Sequence, residues 1–214
     1  MTFAIVIACY GDPAWMELAW SRAYPAALDQ AGGPTIDVVY LPHGTLAEAR
    51  NEGARRNDAE WLCFLDADDE LDPGFMEAML DPAWQATTPP LTADSARIHP
   101  ASLLAPAVTY VYPDGRETPP AIPNAGGWPD VNECVIGTLV RRECFLEVGG
   151  FRDLPSLEDW DLWLRVVKEY DAPIVQVPAA VYRAHVRPGS RNSDQSVYDQ
   201  LRAEHAEVWA PRPG

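Results

Sequence analysis

Asp66, Asp68, Asp69 and Glu70 fall within five positions, directly after the apolar run Trp61–Leu65 (WLCFL). Carboxylates this close repel and raise one another's pKa, so a chain that carries them needs something to offset the charge. Asp66 and Asp68 form an Asp-x-Asp pair, a pattern suited to holding a hard divalent cation through oxygen. With so few protein ligands, Mn2+ or Mg2+ would complete its shell with water and phosphate oxygens, which points to a diphosphate ligand. Two other readings of the same residues stand beside this one. Counted from Asp66, acids at loop positions 1, 3, 5 and 12 (Asp66, Asp68, Glu70, Glu77) follow a calcium-loop spacing. Leu71, however, sits where that loop's sharp turn requires Gly, and a strand leads in where a helix should. The third reading is a solvated turn whose acids cap the next helix, and for Asp72, just before Pro73, the N-cap role is the favoured one.

The elements around the cluster put it at the rim of a sheet. Phe3–Cys9 (FAIVIAC) is an unbroken apolar run, as expected for a strand covered on both faces. Pro13 can open a helix through Trp15, Leu18, Ala19 and Tyr24. Ile36–Leu41 (IDVVYL) reads as a second strand, and Thr45 with Glu48 makes a capping box for a helix that turns Leu46, Ala49 and Gly53 inward. Trp61–Leu65 is the third strand. This β-α-β-α-β order predicts a doubly wound α/β fold with a mostly parallel central sheet and helices on both faces. In such sheets ligands bind beyond the carboxyl ends of the strands, which is where the acidic cluster lies.

Further along, Phe75, Met76, Met79 and Leu80 recur at helical spacing. Residues 81–130 are rich in proline, with Pro89-Pro90 and Pro119-Pro120, and show one strand-and-turn signal at Val108–Tyr112. Long loops in compact domains are usually functional or disordered, so this segment is expected to be mobile without ligand. A strand at Val135–Val140, a short helix at Arg141–Val148, a strong helix at Leu157–Tyr170 and a last strand at Ile174–Val177 follow. After Arg187 the chain is polar, with one amphipathic stretch near Val197–Val208.

Composition limits the partners. Sixteen basic against 32 acidic residues give a formal charge of −16. Phosphate backbones demand a basic face, so nucleic acid is not expected as a partner. The four cysteines, Cys9, Cys63, Cys134 and Cys144, form no zinc or CxxC spacing, and Cys9 and Cys63 sit in apolar runs. Buried, reduced thiols and a cytoplasmic setting are expected. The first residues have no basic region and only a short apolar run, unlike a signal peptide, and no stretch reaches the ~20 apolar residues of a spanning helix.

Three blocks carry a family resemblance. Residues 46–80, with Ala49-Arg50-Asn51-Glu52-Gly53 on the helix and Asp66-Ala67-Asp68-Asp69 after the strand, closely resemble the central segment of family 2 glycosyltransferases of the GT-A fold. Residues 148–166 (VGGFRDLPSLEDWDLWLRV) resemble a second segment of that family, with Gly149-Gly150-Phe151 and the pair Glu158-Asp159. Residues 181–193 (VYRAHVRPGSRNS) are similar to a third, a Tyr-Arg-x-His followed by Ser. One Asp-x-Asp alone is weak evidence, and three blocks in the right order are strong. The resemblance implies a GT-A domain over 1–193, with a nucleotide-sugar-binding half at 1–80, an acceptor-side half at 81–193, and a C-terminal tail at 194–214.

It also implies metal-dependent transfer of a sugar, with inversion, from a nucleoside diphosphate sugar to the hydroxyl of a glycan or other acceptor. Asp66, Asp68 and His185 would hold Mn2+ or Mg2+, and Asp69 would orient the metal shell or the sugar hydroxyls. Asp159, in the first turn of its helix where the dipole favours a carboxylate, would be the catalytic base, with Glu158 supporting it or touching the acceptor. Helix capping alone would also place an acid at 159, and Asp161 reads as a surface residue. Arg50 reaches a donor phosphate or base, or is a solvated helix arginine. Where the family has Asp-Asp-Gly-Ser after the second strand, this chain has Leu41-Pro42-His43-Gly44. That leaves Tyr10 and Asp12 to flank the base and opens the way to a different donor. Trp128 and Trp160 are candidates for stacking on sugar faces, whereas Trp163 reads as core. A catalytically silent sugar-nucleotide-binding protein on the same fold is the alternative, and it has no need of both the metal acids and Asp159. A nucleotidyltransferase would want a Gly-rich first loop with Arg and Lys, which Tyr10-Gly11-Asp12-Pro13 does not supply.

Overall fold

The structure is a computed structural model that describes residues 2–81, 103–171, 174–187 and 195–209. Strand β1 (Phe3–Tyr10) is buried along its length up to Cys9, because both faces are covered. It pairs in parallel with β2 (Thr35–Leu41) on one side and β3 (Trp61–Asp66) on the other. The β1–β2 connection is helical throughout, α1 (Ala14–Leu18) running through a wider turn at Ala19–Ala23 into α2 (Tyr24–Leu28).

Helix α3 (Leu46–Arg56) starts on the expected capping box: Thr45 Oγ1 accepts from the Glu48 N–H at 3.2 Å, and Glu48 Oε2 accepts from the Thr45 N–H at 2.9 Å. Gly53 lets this helix lie tight on the sheet, since a Cβ there would sit 2.3 Å from Val6 Cγ1. Short β4 (Glu70–Leu71) and α4 (Phe75–Leu80) follow the acidic turn. Then come β5 (Leu103–Val111), β6 (Leu139–Arg141), α5 (Arg142–Glu147), α6 (Glu158–Tyr170), β7 (Ile174–His185), α7 (Gln195–Glu204) and a single 3-10 turn at Ala206–Trp209.

The strands form one seven-stranded sheet in the order β2-β1-β3-β6-β5-β7-β4. Its long pairings, β1 with β2 and β3 and β5 with β7, are parallel; the short ones through β6 and β4 run antiparallel. The core lies on both sides of β1 and β3, with Trp61, Phe64, Phe145 and Trp163 fully buried.

Three local expectations shift. The strand expected at Val135–Val140 is confined to Leu139–Arg141. Val135–Thr138 is a turn there, closed by Thr138 N–H to the Val135 carbonyl at 2.9 Å. Gly137 in that turn lies under the Tyr182 ring, 2.3 Å from where its Cβ would be. The last strand runs past Val177 to His185, because a bulge takes up Pro178–Ala180: Pro106 pairs with Val177 but Ala107 with Val181. Asp72 is not the cap of α4. Gly74, at φ 84°, holds that position, and the Asp72 carboxylate instead faces Arg183 at 3.4 Å. Of the loop expected to be mobile, residues 82–102 lie outside the described residues, as do residues 188–193 of the third block.

Candidate active site

A cleft of about 1130 Å³ opens where β1, β3 and β7 end, walled by the acidic turn on one side and by the N-terminus of α6 and the face of α7 on the other. The family-like signature on α3 has a structural reason for each residue it turns inward. Asn51 clasps the loop before α6: its Nδ2 donates to the Phe151 carbonyl and its Oδ1 accepts from the Phe151 N–H, both at 2.8 Å. Gly150, at φ 70°, has no room for a Cβ, which would fall 2.4 Å from Asn51 Oδ1. Arg165 finishes the loop by donating to the carbonyls of Val148 and Gly150, each at 2.6 Å.

Arg50 is neither solvated nor loose in the cleft. It is 3% exposed, with Nη2 at 2.6 Å from Asp66 Oδ1, Nη1 at 2.9 Å from Glu158 Oε1, and the Phe151 ring 5.0 Å below. Burial alone would depress its guanidinium; Asp66 and Glu158 outweigh that and hold it firmly charged. One arginine thus ties the end of β3 to the start of α6.

The acidic turn is only partly neutralised. Asp68 Oδ2 pairs with Arg187 Nε at 2.8 Å, and its carbonyl accepts from Arg22 at 2.7 Å. Burial, then the charge of Asp66, still raises the Asp68 pKa. Asp69 is buried, with Oδ2 accepting from the Tyr182 hydroxyl and Oδ1 from the His185 N–H, both at 2.7 Å. Burial, followed by Asp66 and Asp68, pushes its pKa well above the carboxylate range. His185 turns Nε2 to Glu70 Oε2 at 2.7 Å. The three expected metal ligands line one cleft, but each has a protein partner. Among the described residues, the three-residue group whose ligand atoms lie within 4.8 Å of one another is Asp161, Glu204 and His205 instead. Hard carboxylate oxygens with excess negative charge in the cleft fit a divalent cation at Asp66 and Asp68, and His185 lines the same cleft with its Nε2 turned to Glu70.

Across the cleft, Leu157 enters α6 in the left-handed region, at φ 60° and ψ 24°, and so presents Glu158 and Asp159 at the helix start. A left-handed conformation in a branched side chain costs on the order of 1 kcal/mol, a strain that concentrates at functional positions. Asp159 is half-buried, its Oδ1 accepting from the Trp160 N–H at 2.7 Å and its Oδ2 from Asn132 Nδ2 at 3.2 Å. Burial, then the neighbouring Glu158, pushes its carboxyl up to about 7.

The remaining candidates separate. Tyr10 lines the cleft, whereas Asp12 does not, its Oδ1 accepting from the Ala14 N–H at 2.9 Å in the turn that leads into α1. Trp160 lies at the cleft wall, but it is 1% exposed, stacked on Tyr198 at 5.1 Å and met edge-on by Trp209. Trp128 is half-buried outside the lining, and Trp163 is core as expected. Asp161 is a correction. Far from the surface, it is fully buried between Arg152, Arg165 and His205, which together outweigh the burial and hold its carboxyl down to about 2. All four cysteines are free and buried, and burial raises Cys9 to about 11 and Cys63 to about 12.

Asn132, Arg187 and Tyr198 line the cleft without having been singled out by sequence. Arg187 had the one legible signal, its place two residues beyond the Tyr-Arg-x-His block.

Residues 22–88 match the family model for glycosyl transferase family 2. An uncharacterized glycosyltransferase of Haemophilus influenzae is 28% identical over 177 residues, covering 76% of this chain and 56% of its own length. Among solved structures, S. aureus TarS 1–349 in complex with UDP-GlcNAc superposes with a TM-score of 0.65 at 12% identity, over 97% of this chain and 66% of that one. The same protein in complex with UDP gives 0.59 at 14% identity, over 96% of this chain and 71% of that one. The chain therefore spans a little over half the length of the curated relative, and the structures establish a likeness of fold, the GT-A type.

Proposed function

Residues 22–88 match glycosyl transferase family 2, and from that likeness we propose that the chain is a member of the family and moves a sugar from a nucleoside diphosphate sugar to an acceptor hydroxyl, with inversion at the anomeric carbon. The observation that carries this reading is Asp159: a half-buried carboxyl with a pKa of about 7, facing the strand-end acids Asp66 and Asp68 across one cleft. A general base works best when its pKa lies near the working pH, and a surface cap has no reason to be raised. TarS, the neighbour in fold, binds UDP-GlcNAc and UDP, which supports a nucleotide-sugar donor here.

In this reading Tyr10 flanks the base of the donor at the end of β1, and Asp66 sets one side of the diphosphate subsite. Asp66 and Asp68 would hold Mn2+ or Mg2+, which when bound supplies Lewis acidity at the departing diphosphate. Asp159 takes the proton from the acceptor hydroxyl as that oxygen attacks the anomeric carbon from the face opposite the leaving group. Asn132 holds Oδ2 of that carboxylate, and Glu158, anchored by Arg50, keeps a second charge beside it that favours the proton's arrival.

A panel of UDP-, GDP-, CDP- and dTDP-sugars, run by thermal shift with and without Mn2+, tests the proposal. At least one donor should raise Tm, more so with the metal, and release its nucleoside diphosphate on incubation with an acceptor mixture. No shift with any donor in either condition overturns it.

A further inference from the structure

Charge is unevenly spread along the cleft. On the β3 side lie Asp66, Asp68 and Asp69, and at the start of α6 lie Glu158 and Asp159. The described cations there are Arg50, spent on Asp66 and Glu158, and Arg187, spent on Asp68. The wall beyond Asp159 is different. It is built by Asn124, Val131 and Asn132 from the loop before β6 and by Gln195 and Tyr198 from α7, all of them uncharged at neutral pH.

That wall is held firmly. The Tyr198 hydroxyl donates to the Asp130 carbonyl at 2.8 Å and accepts from Arg202 Nη1 at 3.3 Å, a cation outside the cleft lining that is itself paired with the Asp130 carboxylate at 3.3 Å; Asn124 Nδ2 donates to the Asn132 carbonyl at 2.8 Å. The Tyr198 ring lies on Trp160, inclined at 22°, and is half-buried, so it presents the aromatic surface that Trp160 itself does not. Val131, 39% exposed, stands at the rim. Amide groups beside a partly open aromatic face suit hydroxyls and C–H surfaces, and they carry no charge to offset that of a phosphate or carboxylate. An anion would also meet the field of the acids on the opposite wall, strongest in a cleft whose sides exclude water.

Resting on the glycosyltransferase reading above, we infer that the acceptor is an uncharged carbohydrate, bound against Tyr198 and the amide wall, and that acceptors bearing phosphate or carboxylate are discriminated against. The size of that discrimination follows from Coulomb's law: one net negative charge about 8 Å from an added anion, at an intermediate effective dielectric, is worth about fivefold to tenfold in affinity.

The test uses the full chain and does not depend on knowing the donor sugar. Tryptophan fluorescence, reporting from Trp160 and Trp209 beside Tyr198, is titrated with cellobiose and maltose, and in parallel with cellobiuronic acid and maltose 1-phosphate, in the presence of UDP. At least one neutral disaccharide should bind, its anionic partner about fivefold or more weaker, and 0.5 M NaCl should narrow the gap by screening. Tyr198→Ala should abolish the neutral binding while Tyr198→Phe largely keeps it, separating the ring from the hydroxyl's structural bond. Val131→Lys should bring the anionic sugar to near parity. Equal affinity for both classes in the wild type, no binding of either disaccharide, or Tyr198→Ala binding as before overturns the inference. UDP binding, read by thermal shift in the same samples, keeps the two readings apart: UDP bound with no neutral sugar bound sinks this inference alone, and failure of every nucleotide sinks the donor reading.

Discussion

At pH 7 the Asp159 carboxyl stands close to half-protonated, since burial and the adjacent Glu158 charge push it up to about 7. A base must be ionised, so transfer should rise as pH increases through about 7 and flatten above it. Asp159→Asn should lose that limb and transfer about 10²-fold more slowly or worse, with nucleotide affinity retained, as measured by initial rates and by thermal shift with UDP. The stability sign runs opposite to that of an ordinary carboxylate. The folded pKa lies above the unfolded value near 4, so ionisation costs the fold between about pH 4 and 7. The Asn variant should therefore melt at or above wild type at pH 8 and level with it below pH 4. If Glu158→Gln flattens the pH profile and Asp159→Asn does not, the proton goes to the other carboxyl.

Arg50 belongs to the same scale. Its removal leaves Asp66 and Glu158 facing each other across the base of the cleft with their shared counterion gone. Arg50→Met should cost about 3–5 kcal/mol in urea unfolding, the usual loss when one partner of a buried ion pair is deleted. A cost under 1 kcal/mol would mean that the bridge is unimportant to the fold.

The fit between elements, not any single polar contact, sets how precisely the two walls of the cleft face each other. Helix α3 lies on β1 and β2 because Gly53 has no side chain; an added methyl meets Val6 Cγ1 at 2.3 Å and Val39 Cγ2 at 3.2 Å. Gly53→Ala should cost about 1–3 kcal/mol by overpacking, offset only in part by its better helix propensity. Val6→Ala, which alone leaves a void, should restore part of the loss in the double variant, so that a double-mutant cycle by chemical denaturation shows favourable coupling. Purely additive costs would place the contact elsewhere.

How much of this was legible differs from one element to the next. The first half was readable because β1, β2, α3 and β3 carry their own signals: continuous apolar runs, a capping box, and a helix face ending at Gly53. Strand β7 was cut short at Val177 because Pro178-Ala179-Ala180 breaks the pattern, and only pairing with β5 shows that those residues form a bulge. The turn at Val135–Thr138 reads as a strand by composition; what forbids it is the Tyr182 ring over Gly137, a neighbour 45 residues away in sequence. At the site, Asp66 and Asp68 stand out through their local Asp-x-Asp pattern and Asp159 only through the family-like block around it, while Asn132 gives no signal because its place is defined wholly by the carboxylate it meets.

For the molecule as a whole, the cleft wall that carries Tyr198 depends on how the C-terminal segment is fastened. Helix α7 packs Val197 and Leu201 on Trp160 and Leu164, and the chain beyond it brings His205 Nε2 to 3.2 Å from Asp161 Oδ1. Asp161 also accepts from Arg152 Nε at 3.0 Å and Arg165 Nη2 at 2.8 Å, while Arg152 reaches Glu204 at 2.8 Å. Spacing along α6 makes Asp161 read as a surface acid, because two of its three partners, Arg152 and His205, lie in a loop and just beyond the last helix. It is instead the centre that joins α6, the loop after Gly150 and the end of α7. With its carboxyl held down to about 2, it contributes stability that is fully present above about pH 4 and is lost as pH falls through 2, on the order of 2 kcal/mol from the shift alone. Asp161→Asn leaves the largely buried Arg165 and the Arg152 beside it facing a neutral amide at a fully buried position, so the expected cost at pH 7 is larger, about 3–5 kcal/mol. The loss should be directional. Amide exchange across 195–209 should accelerate before that of β1 and β3, and neutral-sugar binding at Tyr198 should weaken while UDP still shifts Tm. Exchange that accelerates uniformly, or a variant within 1 kcal/mol of wild type, would show that α7 is held by its apolar face and that the buried acid is incidental.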